Sequence, residues 1–213
     1  MRGRANSKRW NALIRADLHV HTIFSSDASI PPKTLVDQLL AHPFIKAVAI
    51  IDHNTVRGYF KVRALASAYP DILIIPGVEV STIYGDIILL GVVEVPQQPW
   101  TVENIIDFAR SRGGVVVAAH PYRAFGLGDS AINYSIDAVE VLNGGCSRRL
   151  NMLAEELAKT MNLPGVAGSD AHRVDELWTV YTEIQASADL DEVLKAIKRG
   201  FVRVSCTGKS IHF

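Results

Sequence analysis

Short apolar runs of strand length alternate along the chain with amphipathic stretches of helix length. This alternation is typical of successive β/α units, which build a largely parallel sheet, and it predicts an α/β fold. The polar turn at Tyr84–Asp86 predicts one antiparallel hairpin within that sheet. The predicted strands are Ile14–Val20, Ala47–Ile51, Ile72–Ile75, Val78–Thr82, Ile87–Val92, Val115–Ala119, Ala138–Leu142, Gly165–Ala167, Thr179–Ile184 and Val202–Ser205.

Helix signals fall between these runs. Pro31 and Pro32 open one helix that stops at His42-Pro43, and Asn54 or Thr55 is expected to cap a second that reaches about Ser67. The remaining predicted helices are Val102–Arg112 after Thr101, Ser147–Met161 and Asp189–Arg199.

Composition indicates an ordinary globular domain. Lys+Arg and Asp+Glu both number 22 in 213 residues, so no broad basic field exists to attract long duplex nucleic acid. Cys146 and Cys206 form no zinc pattern and are interpreted as reduced thiols of a cytoplasmic protein. No apolar run reaches the length of a membrane span. We expect a flexible arm at residues 1–11 and one domain over residues 12–213, with no membrane association.

Acids and histidines follow the apolar runs directly. Each of these motifs alone has an ordinary explanation, such as a helix cap, a turn or a solvated strand end, but their repetition after successive runs favours a shared site. The candidate residues are His19 and His21 in Asp17-Leu-His-Val-His21, Asp27 in the next loop, His53 after Asp52, Glu79, His120 before Pro121, and Asp170 and His172.

These side chains are expected to meet at one rim, because the carboxyl ends of parallel barrel strands lie together. In an extended segment His19 and His21 point to the same face. So many ionisable groups in apolar surroundings would be costly without a cation to neutralise them. Nitrogen and oxygen donors without a thiolate suit zinc, manganese or iron. His42 and His212 fall outside the pattern and are interpreted as structural or exposed.

The chain resembles the PHP family, named for its polymerase and histidinol phosphatase members. The resemblance rests on Asp17-Leu-His-Val-His-Thr22, Ile51-Asp-His-Asn-Thr55, Gly77-Val-Glu79, His120-Pro121 and Ser169-Asp-Ala-His172, which run in the family's order from about residue 15 onward. It implies a distorted (β/α)7 barrel with a single domain and a phosphoesterase site with two or three divalent metal ions.

Carried over by position, the resemblance implies three metal sites. One is held by His19, His21, Glu79 and Asp170, the second by bridging Glu79 with His120, and the third by Asp27, His53 and His172.

Three further assignments come with these sites. Some family members have another histidine near Asn143, so Asn143 or Cys146 is left to complete the second site. Arg123 and Asn143 are expected to face the substrate phosphate, and Asp52 to orient His53.

The resulting hypothesis is hydrolysis of a small phosphomonoester, or of a nucleotide or oligonucleotide phosphate, through a metal-activated hydroxide. Glu79, His53, His172 and Arg123 are the candidate catalytic residues, and the partner is a small phosphorylated substrate, including a nucleotide or a short RNA or DNA end. The loop Tyr122–Tyr134 is expected to act as a mobile flap.

Two alternatives stay open. One is an amidohydrolase-type metal hydrolase, although no lysine for a carboxylated bridge occurs between Lys61 and Lys159. The other is a non-catalytic binding module.

Overall fold

Nine strands and five α-helices make up the part of the chain that the computed structural model describes, residues 12–208. The arm predicted at residues 1–11 and His212 lie outside these residues. The strands are β1 Ile14–Val20, β2 Ala47–Ile50, β3 Leu73–Ser81, β4 Asp86–Leu90, β5 Val115–Ala118, β6 Ala138–Asn143, β7 Gly165–Gly168, β8 Val180–Ile184 and β9 Val202–Cys206. The helices are α1 Pro32–Ala41, α2 Arg57–Ala66, α3 Val102–Ser111, α4 Arg148–Met161 and α5 Leu190–Lys198.

The sheet curls until its first and seventh strands meet. Its order is β7-β6-β5-β4-β3-β2-β1-β8-β9, with β4 antiparallel to both of its neighbours. Beyond the end of β7, the backbone nitrogen of Asp170 donates to the carbonyl of His19 (2.8 Å), and that of His21 donates to the carbonyl of Ala171 (3.0 Å). The predicted distorted barrel of seven strands is therefore confirmed. Strands β8 and β9 extend the sheet beyond β1 as an antiparallel pair.

Apolar packing fills the amino-terminal end of the barrel. Val193, Leu194 and Ile197 of α5 pack in one buried cluster with inward-facing strand residues such as Ile14 and Val115. Outside the barrel, α3 and α4 cover β3 to β6, while α1 and α2 cover β1 and β2. Since α5 closes this end, polar groups inside the barrel are left to the opposite, carboxyl end.

Two predictions about the elements are wrong beyond small shifts of their ends. The strands predicted at Ile72–Ile75 and Val78–Thr82 form the single strand β3, because Pro76 lies where only its carbonyl is needed, as the acceptor from Gly91 (2.7 Å). Helix α2 begins at Arg57 without a side-chain cap, and Asn54 instead accepts from the backbone nitrogen of Ser81.

The predicted helices Val102–Arg112, Ser147–Met161 and Asp189–Arg199 are found as α3, α4 and α5. Thr101, Ser147 and Asp189 each cap one of these helices with a side-chain oxygen, so Ser147 and Asp189 precede their helices rather than begin them. Within residues 12–208, no helix combines the length and the apolar character that crossing a membrane requires.

Gly168 tests the closure between β7 and β1. A Cβ at this position would overlap the Cβ and backbone nitrogen of His19. Gly168→Ala is therefore expected to lower the free energy of unfolding by about 1–3 kcal/mol, as overpacking does, measured by urea denaturation. Gly113→Ala is the control, because Gly113 has φ of +72° but nothing within 4 Å of an added Cβ. If Gly168→Ala were no more costly than this control, close contact between the strands would be contradicted.

Candidate metal centre

The candidate residues converge at the carboxyl end of the barrel on a strained backbone. Asn54, His120 and Asp170 all have positive φ, at 55°, 24° and 55°. Non-glycine residues rarely adopt this conformation, and such strain concentrates at functional sites. All eight residues proposed as ligands from the sequence lie at this end, in three groups that share members.

Four donor atoms surround one point in the barrel mouth. The Nε2 atoms of His19 and His21 are 3.0 Å apart. Glu79 Oε2 lies 3.3 and 3.4 Å from them, and Asp170 Oδ1 lies 3.4 and 3.3 Å from them. Ligands about 2.0–2.2 Å from a tetrahedral ion are separated by about 3.3–3.6 Å. Each carboxylate oxygen therefore lies near ligand spacing from both imidazole nitrogens, which is how these donors fit a divalent cation.

The other oxygen of Glu79 faces a second group. Glu79 Oε1 lies 3.0 Å from His120 Nε2, so one carboxylate contacts donors on both sides. Glu79 is fully buried, and its backbone is tied to the neighbouring strand end, where Asn54 donates to the carbonyl of Glu79 (2.8 Å). This is the geometry expected of a bridging carboxylate between two cations.

Asp27, His53 and His172 form a third group at the exposed rim. Asp27 Oδ2 lies 3.4 Å from Nε2 of both histidines. The ring of His172 is oriented by Nδ1, which lies 2.9 Å from the carbonyl of Asp170. Nδ1 of His53 is buried 3.2 Å from Glu79 Oε2 but makes no hydrogen bond. An unpartnered buried nitrogen beside a carboxylate is a position that a cation could satisfy.

Three supporting residues are not among the candidate ligands. Glu140 Oε1 lies 2.9 Å from His19 Nδ1 inside the barrel. Ser25 Oγ lies 3.1 Å from His21 Nδ1 and donates to Asp52 (3.0 Å). The carboxylate of Asp52 is bound by Thr22 and Ser25, and Asp52 reaches His53 only through Ser25, whose Oγ accepts from the His53 backbone nitrogen (3.0 Å). The sequence does contain a signal for Glu140, because an acid inside the apolar run Ala138–Leu142 needs a polar partner in the barrel. Nothing in the sequence distinguishes Ser25 from other loop serines.

Two cavities open beside the metal centre, of about 720 and 610 Å³. Asp27, Arg123, Asp170 and His172 line both. The loop predicted as a flap lies at this mouth, with the carbonyl of Phe125 accepting from Asp86 (2.6 Å) and Phe125 itself exposed. Its position beside the site agrees with the prediction, and its mobility stays a prediction. A larger cavity of about 840 Å³ lies elsewhere, between α4 and β9.

Comparison with known proteins identifies the family. Residues 148–202 match the family model PHP_C, described as PHP-associated. An uncharacterised protein of Methanocaldococcus jannaschii is 31% identical over 142 residues, which cover 61% of this chain and 82% of that protein. A two-domain protein from Bacteroides vulgatus, described as containing a predicted PHP-like metal-dependent phosphoesterase, superposes with a TM-score of 0.78 at 17% identity. The chain belongs to the PHP family.

The structural matches extend beyond proteins described as phosphoesterases. The superposition on the Bacteroides vulgatus protein covers 92% of this PHP chain but only 65% of the other, so the chain spans less than two thirds of that protein. An amidohydrolase from Chromobacterium violaceum, with bound sulfate and no metal, superposes with a TM-score of 0.63 at 20% identity, over 76% of this chain and 88% of that one. At these identities the likeness shows a shared fold.

The PHP site has an arginine beside its buried acids. Arg123 is paired with Asp170 and is partly exposed toward the cavities. Asn143, in contrast, is fully buried. Its Nδ2 donates to Glu140 (3.0 Å) and Asp170 (3.2 Å), and its Oδ1 accepts from the Gly145 nitrogen. This geometry favours a supporting position for Asn143 over the predicted phosphate contact.

Cys146 is the other residue that was left to complete the second metal site. Burial raises the pKa of Cys146 to about 12, which keeps the thiol neutral and disfavours it as a ligand.

Charge at the PHP site is balanced between acids and histidines. Burial alone would raise the pKa of Glu79 and Asp170, but the neighbouring His19 charge holds both well below their usual range. Burial would lower the pKa of His19, yet Asp170, Glu140 and Glu79 raise it well above 6.5. Burial lowers the pKa of His21 to about 4, so this ring is neutral near pH 7. The carboxylates are therefore ionised, as ligands must be.

Ser25 tests the support behind His21. Because its hydroxyl links the His21 ring, the His53 backbone nitrogen and Asp52, Ser25→Ala is expected to weaken zinc binding about 10–100-fold, the usual cost of losing a residue behind a ligand. The measurement is a competition titration against a chelating dye. Ser26→Ala is the matched control, since Ser26 is exposed next to it. Equal affinities in the two variants would contradict the supporting role.

Proposed function

We propose that this PHP domain is a metal-dependent phosphoesterase that hydrolyses a small phosphomonoester or a nucleotide or oligonucleotide phosphate. The proposal rests on one observation: Glu79 joins two groups of donor atoms. Its Oε2 lies near Nε2 of His19 and His21, and its Oε1 lies near Nε2 of His120. Carboxylate-bridged cation pairs are the usual arrangement for in-line displacement at phosphorus. Manganese, zinc and iron all suit the donors.

The proposed roles follow from where each side chain lies. Cations bound here would supply Lewis acidity, which activates water and neutralises charge on the phosphoryl oxygens. Glu79 and Asp170 provide the buried negative charge that attracts them. Arg123 lines both cavities and can donate in a forked geometry to phosphoryl oxygens, held in place by Asp170. His53 and His172, with Asp27, would hold a further cation at the rim.

An amidohydrolase activity is the second candidate, because the fold is shared with an amidohydrolase. Two features of the site favour a phosphoester. The residues that line the two site cavities include no lysine for a carboxylated bridge. They do include Arg123 and Arg173, whose guanidinium groups match phosphate oxygens. The cavities are large enough for a substrate of nucleotide size.

A substrate panel tests the proposal. Metal-stripped protein is reloaded separately with manganese, zinc or iron, and phosphate release is followed from histidinol phosphate, nucleoside 5′- and 3′,5′-phosphates and a short RNA. Metal-dependent release from any of them supports the proposal and identifies the substrate class. Absence of release from all of them with metal bound, together with hydrolysis of amide substrates, would favour the amidohydrolase instead.

Glu79→Gln tests the bridging carboxylate. The amide keeps the shape of the side chain but removes the charge shared by the two donor groups, so turnover is expected to fall by at least about 10²–10³-fold. Phosphate release on the best panel substrate is the measurement, and thermal unfolding confirms that the variant is folded. Glu103→Gln, at an exposed acid of α3, serves as the control. Activity retained in Glu79→Gln would contradict the bridging role.

A further inference from the structure

We propose that Glu140 is a positioning residue, which sets the imidazole tautomer of His19 so that Nε2 is free to bind a cation. The inference rests on the proposed metal-dependent function. The residue was not a candidate from its sequence motif, since it lies inside strand β6 rather than at a strand end. It is almost completely buried.

Every hydrogen bond of the Glu140 carboxylate goes to the metal centre. Its Oε1 lies 2.9 Å from His19 Nδ1. Its Oε2 accepts from the backbone nitrogen of His120 at 2.8 Å and from Asn143 Nδ2 at 3.0 Å. Asn143 Nδ2 in turn lies 3.2 Å from Asp170. One carboxylate on β6 therefore contacts two candidate ligands directly and a third through Asn143.

The tautomer follows from these contacts. A neutral imidazole carries its proton on one nitrogen only and can bind a cation only through the other. Glu140 Oε2 already accepts from two N–H groups, and a carboxylate that accepts at one oxygen accepts at the other, which places the proton of His19 on Nδ1 facing Oε1. Nε2 then presents its lone pair to the point shared with His21 and Asp170.

The histidines of the centre are not supported equally. Nδ1 of His21 lies against the neutral hydroxyl of Ser25, and Nδ1 of His120 is buried without a partner. His19 belongs to both groups of candidate ligands, the one with His21 and Asp170 and the one with Glu79 and His120. Its Nδ1, the nitrogen that points away from these groups, is in contact with the carboxylate of Glu140. A carboxylate in this position also makes the ligating nitrogen more basic. His19 is therefore the ligand whose orientation is most firmly set.

The variant Glu140→Gln separates positioning from packing. His120 and Asn143 present N–H groups that can only donate, so the amide oxygen of the substituted side chain must face them. Its NH₂ group then faces His19 Nδ1, which must become an acceptor. The proton of His19 moves to Nε2, where it occupies the position of the cation. The shape of the side chain is unchanged.

The experiment uses the full chain labelled with ¹⁵N-histidine. The ring nitrogens of His19 are observed by NMR in metal-free protein at alkaline pH, and zinc affinity is measured by competition with a chelating dye. We expect wild-type His19 to carry its proton on Nδ1 and Glu140→Gln to carry it on Nε2. Zinc affinity is expected to fall about 10–100-fold.

Glu183→Gln is the matched control. Glu183 is also a strand glutamate with charged partners, but these are Arg15 and Arg203, away from the site. We expect its zinc affinity and its His19 tautomer to equal those of the wild type.

Two results would overturn the inference. An unchanged His19 tautomer in Glu140→Gln is one, even if zinc affinity fell, because the loss would then reflect packing alone. Zinc affinity within twofold of the control, despite a changed tautomer, is the other. Neither measurement involves turnover. If the wild type released no phosphate from any substrate while both shifts occurred, the phosphoesterase function would fail and the positioning role of Glu140 would stand.

Discussion

Repulsion among buried carboxylates is the constraint around which the mouth of the barrel is arranged. Glu79, Glu140 and Asp170 are all buried there, and Glu79 and Asp170 both approach the same two imidazoles. Like charges in a medium of low dielectric are tolerated only when positive charge lies between them. His19 can supply that charge, since these acids raise its pKa well above 6.5. A divalent cation would supply more, at donors that already have ligand spacing.

The barrel makes this concentration of charge possible by separating its two ends. Helix α5 closes one end with apolar side chains, so the interior there needs no polar partners. At the other end β7 approaches β1 closely, because Gly168 has no side chain to separate them. This contact brings Asp170 to His19 and to His21, which follows β1, through the hydrogen bond from its backbone nitrogen to the carbonyl of His19. The fold therefore determines the donor distances as well as the location of the site.

The sequence predicts the barrel and the donor residues because both depend on periodic patterns. Apolar runs identify the strands, and polar residues that follow the runs identify one rim. The predictions that fail concern features that have no periodic pattern in the sequence. Two strands were predicted where β3 is continuous, because a proline can stay in a strand where only its carbonyl is used, as at Pro76. Ser25 and Asn143 take their roles from contacts with residues distant in sequence, Asp52 and Asp170 respectively, which local spacing does not reveal.

The most direct test of the metal centre is a crystal structure of the protein grown with manganese and measured for anomalous scattering. We expect an anomalous peak at bonding distance from Nε2 of His19 and His21, Glu79 Oε2 and Asp170 Oδ1, and a second peak between Glu79 Oε1 and His120 Nε2. Absence of any peak within bonding distance of Glu79, in crystals shown to contain manganese, would contradict the metal centre.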